Sequence, residues 1–298
     1  MKKILIFGYG SIGRKHGRVL SNLISKCKII FFTNQKKCKY KSINNLRDAR
    51  LFNPDYIILS KPTSDHENFA KIIEKNFSRK KVLIEKPAYF KSDKFRLKKN
   101  FYFVGYNLRF SPVLKKIKNL ILKKKIIDIN VACSSYLPRW RKNIEYSKSS
   151  SAKKKYFGGV LFDLSHEIDY LNWIFGDLKI HHFQYKKISN LRIETKDSLI
   201  IIGSIKNKQV LINLNFFSKI QKREIIINTE DFSIIGNILK NELEIFYEKK
   251  SKKIRFKKIK DETYIKMHKE ILNQRKKKSV CKLENALQTV KIIKKINK

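Results

Sequence analysis

The stretch that decides the fold is residues 3–16, KILIFGYGSIGRKH. The apolar run 4–7 predicts a buried strand, and the amphipathic residues after the glycines predict a helix. Gly8, Gly10 and Gly13 form the pattern G-x-G-x-x-G, which permits a tight turn, a close approach of backbone to a pyrophosphate, and close packing of helix on strand. Because the motif joins a strand to a helix, it predicts a dinucleotide site; the alternative is a plain strand-to-helix turn.

The composition is typical of a globular protein with more than one domain. The 298 residues suffice for two domains, and 42% of them are hydrophobic. The sequence contains no apolar run of the roughly 18–20 residues that a membrane span needs. The glycine motif follows the first residues directly, so we expect no signal peptide and a cytoplasmic location. The cysteines show no C-x-x-C spacing and are expected to be reduced thiols rather than metal ligands or disulfides.

The formal net charge of +44 admits two interpretations. A strongly basic chain can indicate a protein that binds nucleic acid or an anionic surface. Here the lysines are spread over the whole sequence, and Ile, Asn, Phe and Tyr are also abundant. This bias is typical of proteins encoded by an A/T-rich genome, at surface positions that tolerate substitution. We favour solvated lysine surfaces and expect no specific nucleic-acid partner, since the sequence contains no recognisable nucleic-acid-reading module.

The first domain is predicted over residues 1–105, where strands and helices alternate. The expected elements are strands at 28–33, 56–59, 81–84 and 101–104, a helix over 11–24, a helical stretch at 42–50 and a helix ending near 76. This alternation predicts a Rossmann-type, doubly wound and mostly parallel sheet.

The loops after these strands supply the other candidate cofactor residues, because ligands bind at the carboxyl ends of parallel strands. The second strand ends in Thr33 and Asn34 without the carboxylate that NAD-specific sites use, and two lysines follow, which favours NADP over NAD. The charged pair before Pro87 is either part of this site or a surface ion pair. The expected cofactor-binding residues are Gly8, Gly10, Ser11, Ile12, Gly13, Thr33, Asn34, Ser60, Pro62, Thr63, His66, Glu85 and Lys86.

The second domain is predicted over residues 106–298 and has a different pattern. Helices are expected at 113–124, 160–173 and 283–296, the last after a lysine-rich linker, with strands at 126–135, 179–188, 198–206, 209–218, 223–228 and 242–248 and a further edge strand within 249–260. Together they predict a mostly antiparallel sheet of about six strands. Some strands are apolar on both faces, so we expect a partner subunit on one face and a homo-oligomer, a dimer or tetramer.

Five motifs together resemble the Gfo/Idh/MocA oxidoreductases, the family of glucose–fructose oxidoreductase and inositol dehydrogenase. They are GYGSIGRKH at 8–16, SKPTSDH at 60–66, EKP at 85–87, GYNLRFSP at 105–112 and GGVLFDLSHEIDYLNWIFGD at 158–177. The resemblance covers nearly the whole chain. It implies an N-terminal Rossmann domain and a C-terminal, open-faced sheet with helices on one face, which binds substrate and forms the oligomer.

The resemblance also implies the catalytic residues. Lys86 of the EKP motif would touch nicotinamide and substrate, and Asp163 and His166 would supply acid–base groups. A histidine, with an ordinary pKa of about 6.5, suits a general base near neutral pH; the alternative is a histidine bonded only to structural partners. The chain departs from the family in having two residues instead of three between Asp163 and His166, Phe157 in place of a glycine, and Lys61 where a smaller residue is common.

The implied activity is hydride transfer between NAD or NADP and a hydroxyl or ketone of a sugar or nucleotide sugar. The loop at 136–140 and the later helix are most like members associated with bacterial surface glycans. A redox-assisted glycoside hydrolase on the same scaffold and a non-catalytic dinucleotide-binding protein remain alternatives. Arg139 and Arg141 can bind a carboxylate or phosphate through their forked donors, and Trp140 can stack on a sugar or close the core. The expected substrate-binding residues are Tyr106, Asn107, Arg109, Tyr136, Arg139 and Trp140.

Overall fold

The structure is a computed structural model that describes residues 1–90, 96–141, 145–273 and 278–298. Parts of two predicted segments, the 136–156 loop and the lysine-rich linker, lie outside the described residues. In the described part of the chain, no helix combines the length and apolar character that crossing a membrane requires. The strands are β1 (Lys2–Phe7), β2 (Cys27–Phe32), β3 (Lys41–Ile43), β4 (Tyr56–Leu59), β5 (Lys81–Ile84), β6 (Phe101–Val104), β7 (Ile126–Tyr136), β8 (Lys179–Lys186), β9 (Ser198–Ile205), β10 (Lys208–Asn215), β11 (Phe217–Thr229), β12 (Ser233–Asn237), β13 (Glu242–Phe246), β14 (Ser251–Arg255) and β15 (Cys281–Lys282). The α-helices are α1 (Ser11–Leu23), α2 (Leu46–Phe52), α3 (His66–Asn76), α4 (Pro112–Leu120), α5 (Val160–Asp163), α6 (His166–Phe175), α7 (Glu262–Leu272) and α8 (Leu283–Ile296).

The chain forms two compact units. The first contains Met1–Asn107 and Asp261–Val290, and the second contains Leu108–Lys260 and Lys291–Lys298. The sequence pattern predicted one domain over all of 106–298, whereas in the structure the segment from 261 to 290 belongs to the first unit. Its short strand β15 pairs with β6, with Cys281 opposite Val104, and this long-range pairing has no signature in local sequence.

The first unit is built on a seven-stranded sheet in the order β15-β6-β5-β4-β1-β2-β3. Every neighbouring pair is parallel except β15 with β6. The central strands β1, β4 and β5 read as continuous apolar runs because elements cover both faces of a parallel sheet. The predicted Rossmann-type parallel sheet is therefore confirmed.

Two segments of the first unit differ from the sequence-based expectation. The predicted helical stretch at 42–50 is the edge strand β3 followed by α2, whose first turn is capped by Asn45 accepting a bond from the Asp48 N–H at 2.9 Å. Helix α7 was not predicted at all. The spacing of Tyr264, Met267 and Ile271 has a helical period, but the surrounding lysines hid it.

The second unit is built on an eight-stranded sheet in the order β14-β13-β12-β11-β7-β10-β9-β8. Only β7 and β10 run parallel, so the predicted mostly antiparallel sheet is confirmed. The prediction of about six strands was low because β12 had not been recognised and β14 had been offered only as an edge strand. The β12 residues SIIGN are too few and too mixed to stand out from the sequence.

The two faces of this sheet have different surroundings. On the inner face α4 lies so close to β12 that a Cβ on Gly236 would be 2.7 Å from the Ile117 Cδ1. On the outer face Ile202 of β9 and Leu211 of β10 are paired neighbours and are 50% and 43% exposed. The homo-oligomer that would cover this face stays a prediction.

The long helix predicted over 160–173 is divided in two. Leu164, with φ −99° and ψ 27°, leaves the helical conformation, so α5 ends at Asp163 and α6 begins at His166. The prediction of one continuous helix over 160–173 was therefore wrong. Apolar spacing is blind to such a break, because both short helices keep their apolar residues in phase.

Candidate functional site

The first candidate site is the edge at which four neighbouring strands of the first unit end. Phe7, the last residue of β1, is paired with Phe32 on one side and Leu59 on the other, and Leu59 is paired with Ile84. The loops after β1, β2, β4 and β5 therefore begin at one level. All the predicted cofactor-binding residues lie in these loops or at the starts of α1 and α3.

The glycine turn has the geometry that the motif predicts. Gly8 has φ +100°, a conformation that favours glycine, and a Cβ there would be 2.9 Å from the Ser60 carbonyl oxygen. A Cβ on Gly13 would be 2.2 Å from the Gly8 oxygen, so α1 packs directly on the turn. At Gly10 an added Cβ meets nothing within 4 Å. The turn therefore leaves no room for a side chain at Gly8 and Gly13, but it has open space at Gly10. This space lies beside the start of α1, where the N–H groups of Ser11 and Ile12 have no partner within the helix.

The loop after β4 braces this turn and the loop after β5. The buried Ser60 hydroxyl lies 3.0 Å from the Phe7 oxygen and 3.1 Å from the Gly8 oxygen. His66, at the start of α3, places its ring nitrogens 2.9 Å from the Pro87 oxygen and 3.1 Å from the Lys61 oxygen. Burial lowers the pKa of His66, although both carbonyl contacts oppose this shift. Its contacts tie together two of the candidate loops.

Two further predicted cofactor residues precede His66. Pro62 and Thr63 are partly buried, and Thr63 begins a short 3-10 turn that ends where α3 starts. No side-chain hydrogen bond caps the start of α3, and the Ser64 hydroxyl donates to Asp65 Oδ1 at 3.1 Å.

Thr33 and Asn34 follow directly after β2, and their role in cofactor binding stays a prediction. Thr33 is buried, and its Oγ1 accepts a bond from the Gln35 N–H at 3.2 Å, whereas Asn34 is exposed. Lys36 and Lys37 follow and are also exposed. The loop therefore presents amide and ammonium groups to solvent.

The EKP motif begins with a carboxylate that the protein itself surrounds. Glu85 is buried, its Oε1 lies 3.0 Å from His16 Nε2, and its Oε2 accepts a bond from the Lys86 N–H at 3.3 Å. The Lys86 side chain is partly buried beside it. Because the Glu85 carboxylate is buried against His16, it is not part of a surface ion pair.

His16 is part of a row of buried polar side chains. His16 Nδ1 lies 2.9 Å from His268 Nε2, and His268 Nδ1 lies 3.0 Å from the Tyr56 hydroxyl. Burial lowers the pKa of His268 well below its ordinary 6.5, and the neighbouring His16 adds to the effect. Burial, with the charge of Glu85, also raises the pKa of Tyr56, so this hydroxyl keeps its proton. The sequence pattern placed His16 in the glycine motif and did not point to His268 or Tyr56.

The predicted catalytic histidine of the second unit lies on a helix fixed by buried ion pairs. His166 opens α6 and is 9% exposed. Three residues later Asp169 accepts two bonds from the Arg109 guanidinium, at 2.7 and 2.9 Å, and both side chains are buried. Glu167 forms a second ion pair, with its Oε1 2.9 Å from Arg223 Nε. Arg109, which was predicted to bind substrate, thus forms its ion pair with a residue of α6.

Asp163 at the end of α5 lies near a tyrosine that the sequence did not suggest. Burial raises the pKa of Tyr185, and the negative charge of Asp163 raises it further. The Tyr185 hydroxyl lies 3.4 Å from where a Cβ on Gly159 would stand, and Lys196 Nζ is 4.2 Å from the centre of its ring. Tyr185 alternates with exposed residues along β8, so its pattern was that of an ordinary strand.

Three of the predicted substrate-binding residues lie at the end of β7 and in the turn that follows it. The Arg139 guanidinium lies 5.5 Å from the centre of the Tyr136 ring, and Trp140 packs edge-on against Phe216 at 5.0 Å between ring centres. Trp140 and Arg141 also line a small surface depression, whose other lining residues are Leu137, Tyr146, Ser149 and Ser151.

Tyr106 and Asn107 lie in the first unit, in the turn after β6. Both are buried, and the Asn107 amide donates to the Thr263 hydroxyl at 2.7 Å. Their roles in substrate binding stay predictions.

Two residues that depart from the family pattern are described by the structure. Phe157 adopts a left-handed conformation with φ +53°, and the Lys61 ammonium lies 4.8 Å from the centre of the Phe69 ring.

Comparison with known proteins identifies the family. Residues 118–296 match the sequence profile described as the oxidoreductase family GFO_IDH_MocA, C-terminal alpha/beta domain. The chain belongs to the Gfo/Idh/MocA oxidoreductase family. No curated protein sequence matches the chain significantly.

Solved structures share the whole fold. UDP-N-acetylglucosamine 3-dehydrogenase GnnA from Acidithiobacillus ferrooxidans is 13% identical with a TM-score of 0.76, over 99% of this chain and 96% of that one. The WlbA dehydrogenase from Bordetella pertussis, in complex with NADH and UDP-GlcNAcA, is 16% identical with a TM-score of 0.77, over 98% and 94%. A super-repressor mutant of Gal80p from Saccharomyces cerevisiae is 12% identical with a TM-score of 0.76, over 99% and 95%. These likenesses establish the fold.

The Asp169–Arg109 pair predicts a large effect on the stability of the second unit. Asp169→Asn leaves a buried guanidinium without its counter-charge, and we expect a loss of about 3–5 kcal/mol in the free energy of unfolding. Both tryptophans, Trp140 and Trp173, belong to this unit, so their fluorescence during urea unfolding reports on it. The control is Asp231→Asn, which removes an exposed pair with Lys124 and should cost less than about 1 kcal/mol. Equal losses in the two variants would contradict the prediction.

The buried His268 predicts that acid destabilises the first unit. Below about pH 6.5 the unfolded chain takes up a proton at this ring and the folded chain does not, so stability falls by up to about 1.4 kcal/mol per pH unit. We expect urea unfolding, followed by circular dichroism from pH 7.5 to 5.5, to show this slope. His268→Phe should have a smaller slope, because its side chain does not titrate. Parallel slopes for the two proteins would show that His268 takes up a proton in the folded state.

Proposed function

We propose that this protein is an NAD(P)-dependent dehydrogenase that transfers hydride between a nicotinamide cofactor and a hydroxyl or ketone of a sugar or nucleotide sugar. The observation that carries the proposal is the set of four in-register strand ends, where the open glycine turn and the EKP loop begin at one level. The oxidoreductase family match supports the activity class.

The residues of the first unit fit a dinucleotide. Gly10 leaves open space beside the N-terminus of α1, where free N–H groups and the helix dipole favour a pyrophosphate. The loop with Ser60, Pro62, Thr63 and His66 stands next to it at the adjacent strand end. In the similar WlbA structure the bound cofactor is NADH, which supports the same class of ligand here.

The preference for NADP over NAD remains part of the proposal. After β2 the chain offers Thr33 and Asn34 instead of a carboxylate, and the exposed Lys36 and Lys37 follow. A ribose 2′-phosphate carries negative charge that a carboxylate would repel and that ammonium groups attract.

In the proposed reaction the bound nicotinamide supplies the hydride chemistry, and the side chains handle the proton and the oxygen. His166 removes the hydroxyl proton during oxidation and returns it during reduction. The Lys86 ammonium donates a hydrogen bond to the substrate oxygen and stabilises the developing negative charge. Asp163 orients the base or the substrate. The Tyr136, Arg139 and Trp140 side chains offer stacking surfaces and a forked cation, which suit a sugar that carries phosphate or carboxylate.

A second candidate function is a non-catalytic dinucleotide-binding protein. The similarity to the super-repressor mutant of Gal80p favours it, because the fold is shared over 99% of this chain. The two candidates agree on dinucleotide binding and differ in turnover. A redox-assisted glycoside hydrolase differs from both, since it releases product without a net change in the oxidation state of the cofactor.

Dinucleotide binding is tested by fluorescence titration with NADH and NADPH. We expect both to bind, NADPH more tightly, and Gly10→Ala to weaken both by about tenfold or more, which is about 1.4 kcal/mol of binding free energy. Gly10→Ala should keep the thermal midpoint of the wild type, because its Cβ meets no protein atom within 4 Å. Gly13→Ala, whose Cβ would clash with the Gly8 oxygen, should lower that midpoint. Protein that binds neither coenzyme at millimolar concentration would refute the proposal.

Turnover is tested by nicotinamide absorbance with UDP-N-acetylglucosamine, UDP-GlcNAcA and free sugars. We expect Lys86→Ala and His166→Ala each to reduce turnover by about 10²-fold or more, the usual scale for an acid–base group. His166→Ala should retain its affinity for the coenzyme. His182→Ala, an exposed histidine of the second unit, is the matched control and should behave as the wild type.

The outcomes separate the candidate functions. Unchanged turnover in His166→Ala would remove this histidine from the mechanism. Coenzyme binding without any turnover would favour the repressor-like protein, and release of a sugar without net reduction of the coenzyme would favour the hydrolase.

A further inference from the structure

A row of four buried side chains in the first unit runs from Tyr56, at the start of β4, to Glu85 in the EKP loop. Tyr56, His268, His16 and Glu85 are linked by three contacts of 3.0, 2.9 and 3.0 Å. Three of the four are fully buried, and Glu85 is 7% exposed. Because buried polar groups are kept only when they are satisfied, such a row has a definite proton arrangement.

The proton arrangement follows from the acceptor at the end of the row. A carboxylate only accepts, so His16 Nε2 must donate to Glu85. With one proton on each ring, His16 accepts at Nδ1 from His268 Nε2, and His268 accepts at Nδ1 from the Tyr56 hydroxyl. Each of the three donors uses one proton for one bond. Both rings therefore carry their proton on Nε2.

The Glu85 carboxylate is also held from the sides that the row does not reach. The Lys86 N–H donates to Oε2 at 3.3 Å. A Cβ on Gly105 would lie 2.5 Å from Oε1, so the carboxylate rests directly against the backbone that follows β6. Glu85 thus connects the loop after β5, the turn after β6 and helix α1.

We propose that this row fixes the Glu85 carboxylate, and with it the backbone of Lys86, relative to the glycine turn at the start of α1. His16, His268 and Tyr56 are then positioning residues for hydride transfer, an assignment that rests on the proposed function. His16 lies one and a half turns into α1, so its bond to Glu85 joins the two loops across 69 residues of sequence. A reacting group must be held to within a fraction of an ångström, which such a bond provides.

The decisive pair of variants differs in whether the side chain at position 16 can donate a hydrogen bond to Glu85. His16→Leu removes the donor to Glu85, and His16→Gln keeps an N–H at the reach of Nε2. We expect His16→Leu to lower kcat by about tenfold, with the KM for substrate and the NADPH affinity within about twofold of the wild type. His16→Gln should recover most of kcat. The control is His182→Leu, on the exposed part of β8.

Nuclear magnetic resonance of the histidine rings gives a readout that does not depend on activity. With six histidines, the ring nitrogens can be assigned by single variants. We expect His16 and His268 to carry the proton on Nε2 at pH 7, and Tyr56→Phe to change the His268 signals. The amide signals of Lys86 and Gly105 should shift in His16→Leu and return towards the wild type in His16→Gln.

Each result decides the proposal. Wild-type kcat in a folded His16→Leu, equal losses in the leucine and glutamine variants, or ring protons on Nδ1 would overturn it. If the purified protein binds no dinucleotide or turns over no sugar, the proposed function fails. In that case unchanged Lys86 and Gly105 amides in His16→Leu would still reject the positioning row, and shifted amides would support it.

Discussion

The register of the parallel sheet is the constraint on which the rest of this structure depends. Because Phe7 is paired with both Phe32 and Leu59, and Leu59 with Ile84, four loops start from the same edge. Slipping one strand by two residues would move its loop by more than 6 Å along the sheet. The backbone hydrogen bonds of the sheet align the ends of these strands. Only for this reason can one ligand contact the open glycine turn, the loop with Ser60 and the EKP motif.

Both units use buried charge to fix the residues proposed to act on substrate. In the first unit the Glu85 carboxylate stands beside Lys86 and is held by His16. In the second, Asp169 and Arg109 hold the helix that begins with His166. A buried ion pair contributes little net stability compared with apolar packing, but it tolerates only one geometry. Charged groups in these places therefore favour a precise arrangement over a more stable one.

The fold persists although the sequence has diverged from similar structures to 12–16% identity. In this chain the fold rests on the buried apolar residues of the strands, the glycines of the turn and the paired buried charges. The lysine excess lies largely at exposed positions, where substitutions are tolerated. The +44 net charge is thus compatible with an ordinary member of this oxidoreductase family.

The sequence by itself determined the two kinds of sheet, most strand bounds and the glycine turn, because these depend on local apolar periodicity and on glycine geometry. It left open everything that rests on contacts between distant residues. Residues 16 and 268 are 252 positions apart, and no local pattern announces that His16 and His268 meet or that β15 joins β6. The break at Leu164 likewise escaped notice, because two short helices in phase have the same apolar spacing as one. Only the tertiary structure decided which buried polar groups satisfy one another, since that pairing depends on packing between elements.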